Sequence, residues 1–379
     1  MESGQVDDSI KEQITQQCIH SSEFIREAVV MFQRLHLNMA WYSRLMENRE
    51  MIAGQLDALS YAMENCIARE HCMNQVEKGR LLKIQYHLKE YGIRAKHLHY
   101  YYRENGTSRI TIELNARWGN CIFVKEALQV LNRYGTEEMI PIESNRNFIG
   151  KDRYQYEFVT RPILQCSHGV ARLMQEGQEI SGDNFSVLQR EDGKVMLALS
   201  NGMGTGLSAN KESETVIELM EQFVEAGFSM DIALRLMNAA MVFGGEEDHY
   251  STLDLCLLDV YTGIAEFYKV GAHVSYIKHK DKVEVIADET LPVGAEITID
   301  VNPWRNHVEC GDFLVMVTDG VLEYLHVFNP VETIRDIISC IECQEPEQFA
   351  MRILERVLLY TGGRIMDDMT VLVVSTQER

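Results

Sequence analysis

The sequence predicts an α+β protein whose larger part is a sandwich, with β-sheets inside and helices outside. From about residue 161 onward, short apolar strand segments bounded by Gly and Asp are interrupted by helical stretches. Before that point the apolar pattern is first helical and then alternates as in strands. With 379 residues, 46% of them hydrophobic and 25% charged, the chain is long enough for two or three domains with their own cores.

Composition excludes several classes of protein. The net charge of -21 argues against nucleic acid as a partner, because binding to phosphates needs clustered Lys and Arg. The N-terminal "MESGQVDDSI" has no signal-peptide pattern and no apolar run has the length of a membrane span, so a soluble, cytoplasmic chain is expected. The nine cysteines are scattered, which favours free thiols, and the pair Cys340 and Cys343 lacks the second pair of ligands that zinc needs.

We expect three regions. Residues 1–92 keep a helical apolar spacing, as in Ile25, Val29, Phe32 and Leu35, which predicts a helical regulatory or coupling region. These helices are long enough for a homodimeric interface. Residues 93–160 contain "SRITIELNA" and "QYEFVTR" around the helical "FVKEALQVLNRYG", which predicts a small α+β subdomain.

Residues 161–379 form the third region. "FSVLQREDGKVMLALS" is predicted to be a β-hairpin, because Asp192-Gly193 supplies the positive φ of a tight turn between two apolar strands. A second turn is predicted at Thr262-Gly263. The predicted helices are "ESETVIELMEQFVEAG", "MDIALRLMNAAMV" and "PEQFAMRILERVLLYTG".

Oxygen-bearing side chains stand at four strand ends of this region. Asp183 begins one strand and Asn201 ends the next, Asp319 follows a late strand, and Asp367-Asp368 precedes the last one. A single Asp-Gly pair is ordinarily a turn, but four such positions on apolar strands can converge at one edge. Hard cations such as Mg²⁺ or Mn²⁺ take oxygen ligands and stabilise carboxylates that would otherwise repel one another.

Three motifs in order resemble the PPM family of metal-dependent protein serine/threonine phosphatases. They are "GDNFSVLQREDGKVMLALSNGMGTGLSANKESE", "VTDGVLE" and "DDMTVLVV", and the Gly-Met-Gly turn is similar to the branch of bacterial stage II sporulation protein E. The resemblance covers about 165–376 most strongly and the preceding regulatory region more faintly. No segment corresponds to a membrane-embedded half, so a shorter relative or a fragment is expected.

The resemblance implies an αββα sandwich with two Mn²⁺ or Mg²⁺ ions at one sheet edge. Asn201 falls where the family has an aspartate bridging both ions, and the carbonyl of Gly202 would help to hold one of them. Asp319 and Asp367 would ligate the other ion, and Asp183 would act through a metal-bound water. Two such ions would activate a shared water for in-line attack on a phosphoserine.

The resemblance assigns the remaining residues less closely. Asp368 is counted among the metal-site residues, but the resemblance favours a role in supporting the metal ligands rather than in binding the metal itself. Many relatives have a His in the turn where this chain has Met203, so the group that protonates the leaving alcohol is not identified.

Asn201 departs from the family pattern. An amide is neutral and offers one oxygen, so it cannot bridge two dications, and weak metal binding with reduced turnover is expected. Three explanations remain open: an engineered inactive variant, a natural pseudophosphatase, or deamidation of Asn201-Gly202 to Asp.

By resemblance the substrate is a phosphorylated anti-sigma-factor antagonist, in sporulation or other sigma-factor control. Two functions without catalysis remain as alternatives to the phosphatase. The first is a partner-binding regulatory module on the same fold, and the second is a metal sensor.

Overall fold

The computed structural model describes residues 75–102, 107–117, 121–142, 145–190, 192–204, 206–226, 228–244, 250–272, 274–288, 290–295, 299 and 302–378. All of these residues belong to one compact unit, Asn65–Arg379. The predicted helical region of residues 1–92 lies outside the described residues up to residue 74. No helix in the described part of the chain combines the length and the apolar character needed to cross a membrane.

An antiparallel sheet with helices packed on it comes first in the described chain. Its elements are α1 (Gln75–Glu90), β1 (Ile93–Tyr102), β2 (Ser108–Ala116), β3 (Ile122–Phe123), α2 (Val124–Tyr134), β4 (Met139–Pro141), β5 (Phe148–Ile149) and β6 (Tyr154–Thr160). The sheet has the order β1-β2-β6-β4, and β3 pairs with β5 separately. Alternate residues of β2, such as Ile110 and Ile112, are buried in one core with Ile84 and Leu88 of α1 and Leu131 of α2. The apolar periods of strand and helix therefore meet on one face of the sheet.

The rest of the chain forms a four-layer sandwich. Its elements are β7 (Leu164–Leu173), β8 (Asp183–Gln189), β9 (Lys194–Gly202), α3 (Leu207–Glu225), α4 (Met230–Gly244), β10 (Ser251–Asp259), β11 (Ile264–Val270), β12 (Val274–Lys278), β13 (Val283–Ala287), β14 (Trp304–His307), β15 (Phe313–Val317), α5 (Gly320–Glu323), α6 (Pro330–Cys340), α7 (Pro346–Tyr360) and β16 (Met369–Glu378). One sheet has the order β14-β11-β10-β9-β8 and the other β13-β12-β15-β16-β7.

Three cores hold these layers together. Side chains such as Leu199 and Leu314 pack between the two sheets. Helices α3 and α4 pack on the outer face of the first sheet, and α6 and α7 pack on the outer face of the second. Both sheets are thus buried on two faces, as their near-continuous apolar strands require. The predicted α+β fold with an αββα sandwich is confirmed.

Glycines at the predicted turns allow the two hairpins to close. Gly193 has a φ of 83° between β8 and β9, and Gly263 has a φ of 72° between β10 and β11. A residue with a Cβ is strained in this region, whereas glycine is not. Both predicted turns are confirmed.

Strand register brings the predicted site residues to one end of the sandwich. Asp183 and Asn201 are direct partners in the β8–β9 pair. In the other sheet Val317 pairs with Val371, so the chain segments just beyond β15 and just before β16 emerge together. Asp319 and Asp367 lie in these two segments.

The sequence analysis did not predict the short helix α5, missed α6 and misplaced the start of α3. Helix α6 was not predicted at all. Helix α3 begins at Leu207, several residues earlier than the predicted "ESETVIELMEQFVEAG", because its N-cap is Gly206, which has no side chain to signal a helix start.

Candidate active site

Asp183 lies buried at the start of β8. Its Oδ2 accepts hydrogen bonds from the hydroxyl groups of Thr318, at 3.0 Å, and Thr370, at 2.7 Å. Its Oδ1 is also buried and has no hydrogen-bond partner among the described residues. One carboxylate oxygen is thus fixed by the second sheet, and the other is left for a ligand or a proton.

The surroundings of Asp183 disfavour its charged form. Burial raises its pKa from 3.8 to about 7, and the negative charges of Asp319 and Asp368 add to this rise. The hydroxyl groups of Thr370 and Thr318 oppose it, because they stabilise the carboxylate. Asp183 can therefore hold or release a proton near neutral pH when no cation is bound.

Asn201 connects the two sheets at the end of β9. Its Nδ2 donates a hydrogen bond to Oδ1 of Asp319 at 2.5 Å. The same Oδ1 accepts from the backbone N–H of Gly320 at 2.9 Å, as the N-cap of α5. The hydroxyl of Ser251 donates to the carbonyl oxygen of Asn201 at 2.8 Å. The amide at position 201 thus adds a second donor to Oδ1 of Asp319, which a carboxylate at this position could not do.

Asp368 is held by backbone groups. The N–H of Gln175 donates to its Oδ1 at 2.8 Å, and the N–H of Gly182 donates to its Oδ2 at 2.6 Å. Asp367 accepts one hydrogen bond, from the N–H of Asp368 at 2.8 Å. Burial raises the pKa of Asp367, and the charge of Asp319 raises it further. Asp368 is therefore placed to tie loops together, while Asp367 is the more available of the two carboxylates.

Gly202 permits a close approach between β9 and α3. A Cβ at this position would lie 2.0 Å from the carbonyl oxygen of Ala209. Only glycine lets the turn after β9 lie directly against the first turn of α3.

The oxygen donors of Asp183, Asp319 and Asp367 suit a hard divalent ion in kind. The unpartnered Oδ1 of Asp183 is an observation that favours such an ion. Within the described ranges, however, no group of three or more His, Cys, Asp or Glu residues is arranged to hold a metal. Asn201 accounts in part for the lack of such a group, since it supplies an amide where a bridging carboxylate would join the other acidic residues. The chemistry of Asp319 and Asp367 therefore suits a hard cation, and position 201 offers no carboxylate to bridge to a second one.

Sequence reasoning missed the two threonines that hold Asp183. Thr318 directly precedes Asp319, and Thr370 follows Asp368 by two residues. The hydroxyl of Thr318 also accepts the N–H of Thr370 at 2.9 Å. A threonine beside each acidic motif could have indicated these hydrogen-bond donors. Thr is, however, common in strands because its β-branched side chain favours them.

Comparison with known proteins gives consistent matches. Residues 191–377 match the family model of stage II sporulation protein E. The chain is 27% identical over 370 residues to stage II sporulation protein E of Bacillus subtilis strain 168, covering 96% of this chain and 44% of that protein. It is 27% identical over 364 residues to the protein of the same name from Priestia megaterium, covering 95% of this chain and 62% of that protein. The chain thus spans about half the length of these curated relatives.

A solved structure is similar over most of the chain. It contains the PP2C phosphatase domain and a fragment of the regulatory domain of the cell fate determinant SpoIIE from Bacillus subtilis. The TM-score is 0.63 at 26% sequence identity, covering 89% of this chain and 98% of that one. The likeness therefore extends beyond the sandwich, which makes up less than two thirds of the chain.

Proposed function

Because the chain belongs to the PP2C-type (PPM) phosphatases and is similar to stage II sporulation protein E among them, we propose that it acts on phosphoserine in a protein substrate, with divalent metal ions as cofactors. The observation that carries this proposal is the meeting of two sheets at one acidic end. There Asn201 of the first sheet lies in hydrogen-bond contact with Asp319 of the second.

The proposed roles follow from the contacts of each side chain. Asp319 and Asp367 would hold a Mn²⁺ or Mg²⁺ ion, and the carbonyl of Gly202 and the side-chain oxygen of Asn201 would contribute to a second one. Such ions lower the pKa of water and neutralise the charge that develops on the phosphoryl group. Asp183 would orient a water molecule through its free Oδ1 and hold a proton there, since its Oδ2 is already engaged by Thr318 and Thr370.

Asp368 would act from outside the metal shell. Both of its oxygens accept backbone N–H groups, so it fixes the loops that carry Gln175 and Gly182 rather than offering a free ligand. These two hydrogen bonds favour the role that the resemblance implies for Asp368, which is to position the metal ligands.

Asn201 is proposed to reduce turnover strongly. The site loses one negative charge relative to a bridging aspartate, and the amide donates to an oxygen of Asp319 that the metal would need. An aspartate at position 201 would repel Asp319 until a cation bound between them.

We further propose the biological setting that the resemblance implies. The substrate is a phosphorylated anti-sigma-factor antagonist, and the setting is sporulation or sigma-factor control in the cytoplasm. Residues 1–92 act as a regulatory and coupling region that pairs two copies, residues 93–160 as a small subdomain, and 161–379 as the phosphatase domain.

The test compares this chain with Asn201→Asp in Mn²⁺, using a phosphoserine peptide and a phosphorylated anti-sigma-factor antagonist. Asn329→Asp is the matched control, because Asn329 caps α6 through Glu332 N–H, a role that Asp also fills. We expect Asn201→Asp to release phosphate at least about a hundredfold faster than the parent, in line with the loss typical of a missing charge-stabilising group. Equal and negligible release by both proteins would contradict the enzymatic proposal.

One observation favours a second function, a partner-binding module without catalysis. The hydrogen bond from Asn201 gives one oxygen of Asp319 a partner without any cation. If neither protein releases phosphate and the parent still binds the phosphorylated antagonist, this second function replaces the first.

A further inference from the structure

A charged network lies buried between the two sheets of the sandwich. Lys269 of β11 and Asp254 of β10 form an ion pair at 2.6 Å, and their side chains are 0% and 4% exposed. The Nζ of Lys269 also donates to the hydroxyl oxygen of Ser275 on β12 at 2.7 Å. That hydroxyl donates in turn to Oδ2 of Asp254. We call these three residues the inter-sheet network.

The inter-sheet network joins one sheet to the other. Strands β10 and β11 belong to the first sheet and β12 to the second. Asp254 and Lys269 are register partners, and Cys256 and Phe267, two residues away on the same strands, pack between the sheets. Since side chains alternate along a strand, Asp254 and Lys269 point into the same core. Ser275 therefore completes a directional polar contact across a core built from apolar side chains.

In the first sheet the network lies close below the candidate site. Thr252 is the register partner of Asn201, and Asp254 is the partner of Leu199. The backbone N–H of Asn201 also donates to the hydroxyl oxygen of Thr252 at 3.2 Å. Two residues of a β-strand span about 7 Å. Asp254 is therefore one step along the sheet from the residues that end it at the site.

In the second sheet the network lies at the same depth. Ser275 is the register partner of Met316 on β15. Thr318, whose hydroxyl donates to Asp183, follows Met316 by two residues, and Asp319 comes next in the chain. The network therefore connects the two sheets one layer below the groups that have to meet at the site.

Stability alone does not account for charges in this core. Taking an ammonium and a carboxylate out of water costs free energy, and well-packed apolar residues of similar volume commonly stabilise a fold as well or better. Oδ1 of Asp254 adds to the cost, because it is buried and has no hydrogen-bond partner among the described residues. Hydrogen bonds supply what apolar packing does not, which is a preferred distance and angle between particular atoms.

We propose that the three residues of the inter-sheet network are positioning residues, which fix how the ends of the two sheets meet. The contact that they hold in place is the one between Asn201 and Asp319. This proposal rests on the proposed function, since it names residues that keep the same site in register without touching substrate or metal. A misplacement of about 1 Å at a reacting centre can cost about a hundredfold in rate, so a small shift of one sheet is sufficient.

The variant that tests this proposal removes the network and leaves none of its polar groups behind. It combines Lys269→Met, Asp254→Leu and Ser275→Ala, and we call it the apolar variant. The control is Leu258→Ala. Leu258 is buried in the same core on β10, four residues from Asp254 and farther from the site. The control loses packing and keeps the network, so it reports what lower stability does by itself.

The first measurement uses the chain with Asn201 in place and no metal. Selective ¹⁵N-asparagine labelling and NMR follow hydrogen exchange of the Asn201 side-chain amide, whose signal is assigned by its loss in Asn201→Asp. We expect exchange in the apolar variant to be about tenfold or more faster than in the parent, because the bond to Asp319 opens locally. Exchange in Leu258→Ala should stay close to that of the parent.

Two results of this measurement would overturn the proposal. One is equal exchange in the parent and the apolar variant, and the other is an equal acceleration in Leu258→Ala, which would make the effect one of stability alone. Urea unfolding identifies conditions in which all variants are folded. Ser275→Ala by itself removes the bond across the sheets and keeps the ion pair, so it replaces the apolar variant if that protein does not fold, with faster exchange again expected.

A second measurement keeps the two proposals separate. In the Asn201→Asp background, hydrolysis of p-nitrophenyl phosphate in Mn²⁺ gives kcat and KM, and isothermal titration calorimetry gives the Mn²⁺ affinity. We expect the apolar substitutions to lower kcat about a hundredfold with a much smaller change in KM, and to weaken Mn²⁺ binding, whereas Leu258→Ala keeps all three values. Turnover and Mn²⁺ binding that do not change with the apolar substitutions would overturn the positioning role. An absence of turnover in Asn201→Asp itself would contradict the proposed function, and exchange of the Asn201 amide would still decide on the network.

Discussion

Replacing Asp183 by Asn should change how the stability of this protein depends on pH. Asp183 is buried, and its Oδ1 has no partner within the described part of the chain. Burial, with a further contribution from Asp319, raises its pKa from 3.8 to about 7. The folded protein therefore resists ionisation of this one carboxyl in the absence of a cation.

The size of the effect follows from the pKa difference. A rise of about three pKa units corresponds to about 4 kcal/mol of stability. Because the pKa is raised on folding, this stability is fully present below the unfolded value of 3.8 and is lost as the pH rises through about 7. Asn carries no charge at any pH, so it avoids the loss. Its Nδ2 takes the place of the unpartnered oxygen, at a constant cost of about 1–3 kcal/mol.

The measurement is urea unfolding of the parent and Asp183→Asn with a chelator present, at intervals from about pH 5 to about pH 8.5. The difference in unfolding free energy should shift in favour of the variant by about 3 kcal/mol across this range. Asp281→Asn, at an exposed turn, controls for the loss of a negative charge. A difference that stays constant with pH would show that Asp183 ionises in the folded protein without penalty, and would refute the reasoning.

Two further predictions concern the sandwich. Lys269→Met should lower the unfolding free energy by about 3–5 kcal/mol, because Lys269 and Asp254 form a buried ion pair at 2.6 Å and Asp254 would keep only the hydrogen bond from Ser275, with no cation beside it. Lys269→Met with Asp254→Leu should recover most of the loss in the same denaturation assay, and an equally unstable double variant would contradict this account. Gly202→Ala should lower the thermal unfolding midpoint, because the new Cβ would lie 2.0 Å from the carbonyl oxygen of Ala209. Gly150→Ala, whose Cβ would meet no atom within 4 Å, is the matched control, and equal midpoints for the two variants would argue against the close contact.

The sequence was sufficient for elements whose signals are local. The hairpin at Gly193 and the turn at Gly263 were predicted from two-residue patterns, and both have the positive φ that those patterns require. Helix α6 was missed although Asn329 caps it and Pro330 begins it. The helix has only 11 residues. The spacing of apolar residues in so short a segment does not distinguish a helix from a strand.

For the site, the sequence by itself determined which chemical groups stand at the strand ends, including the amide of Asn201 in place of a carboxylate. It did not determine which hydrogen-bond partners those groups have. The bonds from Thr318 and Thr370 to Asp183 span 135 and 187 residues of chain, and the bond from Gly182 to Asp368 spans 186. Only the packing of two sheets face to face decides which carboxylate is satisfied by backbone N–H groups and which keeps a free oxygen. Burial and hydrogen-bond partners depend on segments that meet across the fold, and no local pattern specifies them.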